Sequence, residues 1–293
     1  MYNIICFGEM LWDILPQKEL PGGAPMNAAY HLQKHGQQVA VISKVGKDSY
    51  GERLLALLKD NGITTAYVQQ DALQATGKVL AQPIGEHDVQ FNILFPAAWD
   101  FIEWQPSLGP LLQQAQYLVF GSLAARNAVS RSTLEKALSW KIKKVLDINL
   151  RPPHYDPALI KMLLSNCDIL KLNQAELELI SSWLGAASAP EEQVGMLAHA
   201  YRIQTIVVTM GARGALLYMN GRFYSHPGFR VQVADTIGSG DAFLAGFLSS
   251  LIKGRSPEES LAIANATGAL VASRSGGCPA YHVQEVSALL ETV

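Results

Sequence analysis

Tyr117-Leu118-Val119-Phe120, Lys144-Val145-Leu146-Asp147-Ile148, Asp168-Ile169-Leu170-Lys171-Leu172 and Thr205-Ile206-Val207-Val208-Thr209 decide the fold. Each is a short, nearly continuous apolar run, the pattern of a strand buried on both faces rather than one. Helix-period segments lie between them. The helix following Pro157 is expected to end near Asn166, the one after Asn173 near Gly185, and another to fill residues 191–201, each with its own stop signal. Strands alternating with helices imply right-handed crossovers and a mostly parallel sheet.

Two segments break this rhythm. Residues 76–82 and 89–94 flank the turn-like Gly85-Glu86-His87-Asp88 and read as a hairpin inserted among the early elements. It either covers a site as a lid or forms a plain edge, and the sequence favours neither. Residues 215–219 and 222–224 flank Asn220-Gly221 and read as a second hairpin.

A chain of 293 residues with 49% hydrophobic content can bury one large core without disulfides or metals as staples. Cys6, Cys167 and Cys278 are far apart, with no metal-ligand spacing, and read as small buried residues in a reducing cytosol. A net charge of -2 with mixed signs gives no footprint for nucleic acid and no face for a membrane. The N-terminus runs into the strand-like Ile4-Ile5-Cys6-Phe7 without a signal-peptide pattern, and a cytoplasmic protein is expected.

The chemistry is concentrated in Ala234-Asp235-Thr236-Ile237-Gly238-Ser239-Gly240-Asp241-Ala242-Phe243-Leu244-Ala245-Gly246, a small-residue loop opening into an apolar helix. The glycines let the backbone approach a ligand, and the first free amides of the helix make an anion hole at the positive end of its dipole. Asp241 falls in the first turn, where a carboxylate is electrostatically favoured. Amides that carry charge on a transferring phosphoryl group, beside a carboxylate that takes a hydroxyl proton, suit phosphoryl transfer. Taken alone, a GxGD is as well explained by a helix-start acid after a turn. A dinucleotide-binding turn is excluded, because Phe243 stands at the third glycine position and helix then Pro257 follow where a strand is needed. GxxxxGK[ST] is absent, which excludes a P-loop.

Together with Gly22-Gly23-Ala24-Pro25-Met26-Asn27-Ala28-Ala29, then Gly36 and Gly46, this loop resembles the two signatures of the ribokinase-like, or PfkB, carbohydrate kinases over essentially the whole chain. The resemblance implies a three-layer α/β/α sandwich with a mostly parallel central sheet. It implies one kinase domain over residues 1–293 with a small β lid from segments near 10–22 and 64–104. It implies Asp241 as catalytic base, with the backbone of Gly238, Ser239 and Gly240 as the anion hole. Asp13, Gly22, Gly23 and Asn27 match the sugar-contacting positions. Asn173 and Glu176 match the NxxE pair that holds hydrated Mg2+ beside ATP, although from the residues alone they are a capping pair. Thr209, Gly211 and Gly214 match the TxGxxG segment along the nucleotide, and Asn265 a position lining the adenine pocket. Asp235 and the Ile237 carbonyl, with backbone near Ala272, Gly277 and Cys278, resemble a monovalent-cation site, for K+ in many members.

The acceptor is read from two places. Asp147-Ile148-Asn149-Leu150-Arg151-Pro152 resembles a segment shared by fructokinases and 2-keto-3-deoxygluconate kinases, and Arg151 either reaches substrate or phosphate or forms a structural pair. Residues 76–104 contain Lys78 and no arginine, which disfavours a carboxylate-bearing acceptor, and Phe95-Pro96-Ala97-Ala98-Trp99-Asp100 resembles a fructokinase lid. A neutral hexose, fructose first, is expected. The alternatives are a 2-keto-3-deoxygluconate kinase, a ribokinase or nucleoside kinase, or a sensor that binds sugar or nucleotide without turnover. A homodimer paired through the lid is also expected, because an unpaired hairpin is marginal by itself.

Overall fold

Alternate residues of the apolar runs separate to opposite faces of one sheet. Ile4, Cys6, Val39, Val41 and Val207 enter one core, while Ile5, Phe7, Ala40, Ile42, Ile206 and Val208 enter another. Two cores on one sheet require helices on both sides, and the computed structural model, which describes residues 2–84, 88–185 and 187–291, has that three-layer arrangement.

In chain order the first elements are β1 (Ile4–Phe7), β2 (Leu11–Leu15), β3 (Lys18–Gly22), α1 (Ala24–Lys34), β4 (Val39–Gly46), α2 (Ser49–Asp60) and β5 (Val68–Asp71). There follow β6 (Gly77–Ile84), β7 (Asp88–Ile93), α3 (Leu108–Gln114), β8 (Tyr117–Gly121), α4 (Ala128–Leu138), β9 (Lys143–Asp147), α5 (Pro157–Leu164) and β10 (Ile169–Asn173). The chain continues through α6 (Gln174–Ser182), α7 (Pro190–Tyr201), β11 (Thr205–Thr209), β12 (Ala215–Met219) and β13 (Arg222–His226). It closes with α8 (Ser239–Ile252), α9 (Pro257–Ala272) and α10 (Val283–Leu290).

Among the described residues the main sheet has nine strands in the order β13-β12-β11-β10-β9-β8-β1-β4-β5. Pairing is parallel from β11 through to β5, and β12 with β13 forms an antiparallel edge. One core receives α1, α8 and α9, through residues such as Met26, Phe247 and Val271. The other receives α4 to α7, through Leu134, Ile160, Ile180 and Leu197.

A second, four-stranded sheet runs β3-β2-β6-β7, so the hairpin read at residues 76–94 joins the hairpin that follows β1. Gly85, Glu86 and His87 of the expected turn lie outside the described residues, and Asp88 opens β7. Glycine is needed where the two sheets meet: a Cβ on Gly77 would lie 2.5 Å from the Trp99 indole nitrogen. Lys171 of β10, bonded to Asp147 at the carboxyl end of β9, reaches Gly240 at the start of α8, and the carboxyl edge is where α/β sheets of this kind hold ligands.

Candidate active site

Gly238 caps α8 with a φ of +73°, and a Cβ there would sit 2.5 Å from the Gly277 Cα, so both the turn and the close approach require glycine. The helix then starts abruptly. Ala242 N donates to the Gly238 carbonyl and Ser239 N to the Thr236 carbonyl, while the amides of Gly240 and Asp241 have no partner among the described residues. Two free amides at a helix N-terminus are able to bind an anion.

Asp241 is buried at this point, and Asn27 Nδ2 donates to its Oδ2 at 2.8 Å. Burial pushes its carboxyl up to about 7 and the charge of Asp147 adds to the rise, against Lys171, Asn27 and Arg151, which favour the carboxylate. Lys171 is the residue that sequence reasoning passed over. Its Nζ donates to both Asp147 oxygens at 2.9 Å and lies 3.0 Å from where a Cβ on Gly240 would stand. Burial disfavours its charge, but Asp147 and Asp241 outweigh that and hold the ammonium above its ordinary value. A lysine inside the apolar run of β10 was the available signal, because a buried charge demands a partner.

Asp13 stands on β2 opposite Leu20 of β3. A Cβ on Gly22 would fall 2.6 Å from Asp13 Oδ2, so that glycine makes room for the acid. Gly23, with a φ of +110°, caps α1, and a Cβ there would lie 2.3 Å from the Glu9 carbonyl. Burial pushes the Asp13 carboxyl up to about 6, against the charge of Arg151. Glu9 is buried beside them with Oε1 accepting from Ala24 N at 3.3 Å and Oε2 unpartnered, and burial pushes it up to about 7. Arg151 is exposed, its nearest acceptor the Leu150 carbonyl at 3.5 Å, and its charge acts on Glu9, Asp13 and Asp241 together. Among the described residues it makes no ion pair.

Asn173 and Glu176 form a closed capping box at the start of α6: Glu176 N donates to Asn173 Oδ1, and Asn173 N to Glu176 Oε2. Leu150 N donates to the remaining Glu176 oxygen at 2.8 Å, tying this helix to the Arg151 segment. With these oxygens already accepting, the pair suits a hydrated metal ion held through its waters. Thr209 ends β11, and Gly211 and Gly214 bracket the turn after it with φ of +58° and +81°. Arg213 in that turn donates to Gln174 Oε1, which joins it to α6. Asn265 is buried in α9 and donates back to the Leu261 carbonyl.

Asp235 is fully engaged. Its Oδ1 accepts from Ile237 N and its Oδ2 from Gly276 N, both at 2.9 Å, and the Ala272 carbonyl accepts from Ala234 N. The two loops named for a monovalent cation are therefore adjacent. The Asp235 carboxylate stitches them together rather than standing free.

The lid base holds an arginine after all, brought from a distant part of the chain. Arg126, beyond β8, makes a two-pronged ion pair with buried Asp100 at 2.7 and 2.8 Å and donates to the Leu94 carbonyl. Its guanidinium lies 3.9 Å from the Trp99 ring centroid. Fully paired, it offers no free charge to an acceptor.

Free amides at the start of α8, a buried carboxylate beside them and a second four-stranded sheet accompany a family match along nearly the whole chain. The profile of the pfkB family carbohydrate kinases covers residues 15–283. The probable fructokinase-6 of Arabidopsis thaliana, a chloroplastic protein, is 30% identical over 99% of this chain and 83% of its own length. A double-mutant fructokinase of Vibrio cholerae O395, solved in fructose, ADP and potassium ion bound form, superposes with a TM-score of 0.86 at 25% identity, covering 99% of this chain and 98% of the other. The fructokinase of Xylella fastidiosa with bound ATP gives 0.85 at 26% identity, with the same coverage. Sequence and fold thus agree on one assignment, and the chain belongs to the pfkB family of carbohydrate kinases.

Proposed function

We propose that this kinase transfers the γ-phosphate of ATP to a hydroxyl of fructose, with Asp241 as the base. The observation that carries the reading is the buried Asp241 carboxylate, held by Asn27 at 2.8 Å, in the same helical turn as two unpartnered amides. Asp13, Gly22, Gly23 and Asn27 receive the sugar. Thr209, Gly211, Gly214 and Asn265 line the nucleotide, and Asn173 and Glu176 hold the waters of its magnesium. Arg151, exposed and directed at the site, steadies the phosphate in flight.

Asp241 takes the acceptor proton as the oxygen attacks in line with the leaving diphosphate. The amides of Gly240 and Asp241, with the Lys171 charge behind Gly240, hold the equatorial oxygens of the transferring group. The fructose, ADP and potassium ion of the Vibrio cholerae protein and the ATP of the Xylella fastidiosa protein support fructose and ATP here, and the adjacent Asp235 and Ile237 loops are the place we assign to potassium. Arg126 is bound to Asp100, and Lys78 lies over the Tyr50 ring at 3.8 Å, so the lid sheet favours a neutral sugar over a keto acid.

Three free cysteines and the need for ATP suit the cytoplasm. Among the described residues no helix is long and apolar enough to cross a membrane. Pairing of two chains through the β3-β2-β6-β7 sheet belongs to the same reading, and sedimentation of the native chain checks it.

The acceptor is tested by ADP release from magnesium-ATP with fructose, mannose, ribose, 2-keto-3-deoxygluconate and adenosine, with and without potassium. Fructose is expected to give the highest kcat/KM. Preference for the keto acid would overturn the neutral-lid argument.

A further inference from the structure

The first helix and the C-terminal loop grip each other through hydrogen bonds that end on Asp241. Asn27 and His31 stand one turn apart on α1. His31 is fully buried, with Nε2 2.8 Å from the Gly277 carbonyl and Nδ1 3.0 Å from the Tyr281 hydroxyl. Burial pushes the imidazole down to about 3, so the ring is neutral. A carbonyl only accepts, which puts the proton on Nε2 and makes Tyr281 the donor to Nδ1. Tyr30 adds a hydrogen bond to the Pro279 carbonyl at 2.9 Å.

The segment held in this way is Gly277-Cys278-Pro279. A Cβ on Gly277 would lie 2.7 Å from Asn27 Nδ2, so the backbone presses directly on the amide. Cys278 Sγ donates to Asn27 Oδ1 at 3.2 Å, and Asn27 Nδ2 donates to Asp241 Oδ2 at 2.8 Å. An amide fits the same space either way round. Turned over, its oxygen would face the Asp241 carboxylate and its N–H groups would face a thiol proton. Burial and the Asp241 charge push the Cys278 thiol up, so that proton stays in place.

We propose that Cys278 is a positioning residue for phosphoryl transfer: its S–H fixes the Asn27 amide with Nδ2 toward Asp241, and so holds the carboxylate in the rotamer that receives the acceptor proton. The inference rests on Asp241 being the base. It gives a task to a cysteine whose sequence context suggests only a buried small residue.

Cys278→Ala removes the donor, and Cys278→Ser keeps one. With fructose, kcat is expected to fall about fivefold in the alanine variant, the scale of one ordinary hydrogen bond, with the KM for ATP unchanged, and to recover in the serine variant. The Asn27 side-chain amide, assigned in the 15N spectrum by its loss in Asn27→Ser, reports orientation without turnover. It is expected to shift and broaden in Cys278→Ala and to return to a single sharp pair in Cys278→Ser. An unchanged amide in the alanine variant, or a serine variant as impaired as alanine, overturns the proposal whatever the acceptor is. A responsive amide in a native chain silent on fructose upholds the positioning role and overturns the acceptor instead.

Discussion

As the proposed base, Asp241 must be ionised to accept a proton, yet burial and Asp147 push its carboxyl up to about 7 while Lys171 and Asn27 pull it back. Raising a base toward the working pH strengthens it as an acceptor at the cost of its charged fraction. kcat/KM for the sugar is therefore predicted to rise with pH through about 7 and level off above it, because the active form is the deprotonated one; a pH–rate profile checks this. Lys171 and Asp147 sit behind the base as a closed pair. Lys171→Met strands the buried Asp147 charge and should lower stability by about 3–5 kcal/mol in urea unfolding. Lys171→Met with Asp147→Asn should recover most of that stability but not the turnover. At this scale the sequence was legible where motif and backbone coincide, at Asp241, Gly238 and Asn27. It did not give the partners of Lys171 and Cys278, because Asp147 and Asn27 are distant in the chain and only the folded molecule brings them together.

Elements were legible where apolar period and stop signals agree. β11 has the expected bounds, Thr205–Thr209, whereas β9 starts one residue early, at Lys143 opposite Tyr117, and β10 runs one residue past Leu172, to Asn173 opposite Thr209, because ladder pairing rather than apolar side chains sets the ends. α5 and α6 end earlier than expected, at Leu164 and Ser182, where Ser165 and Trp183 take the C-cap. The base of the second sheet also holds a cation from outside residues 76–104. Scanning residues 76–104 for cations cannot find Arg126, which arrives from the far side of β8 and joins the Leu94 carbonyl to Asp100 and Trp99. Asp100 is fully buried, so Arg126→Met leaves an uncompensated charge and should lower the melting temperature through a loss of about 3–5 kcal/mol. A melting curve within a degree of native would show that the pair does not fasten the second sheet.

For the whole molecule, alternation of strands and helices was enough to give the layers, since a sheet buried on both faces has few other solutions. The role of the β6–β7 hairpin was not legible, because a lid and an edge share the same local pattern. The structure joins it to β2, the strand that carries Asp13, so under the proposed function the hairpin and the sugar-contacting acid belong to one sheet. Shortening the hairpin between Gln82 and Leu94 should raise ATP hydrolysis without sugar transfer, because an open site admits water to the γ-phosphate. The ratio of ADP to sugar phosphate formed measures that coupling.

The most direct test of the central claim is fructose-dependent ADP release by Asp241→Asn beside the native chain. With the base removed and the anion hole intact, turnover is predicted to fall by roughly a hundredfold or more while ATP still binds. Turnover within a few-fold of native would contradict the assignment of Asp241 as the base.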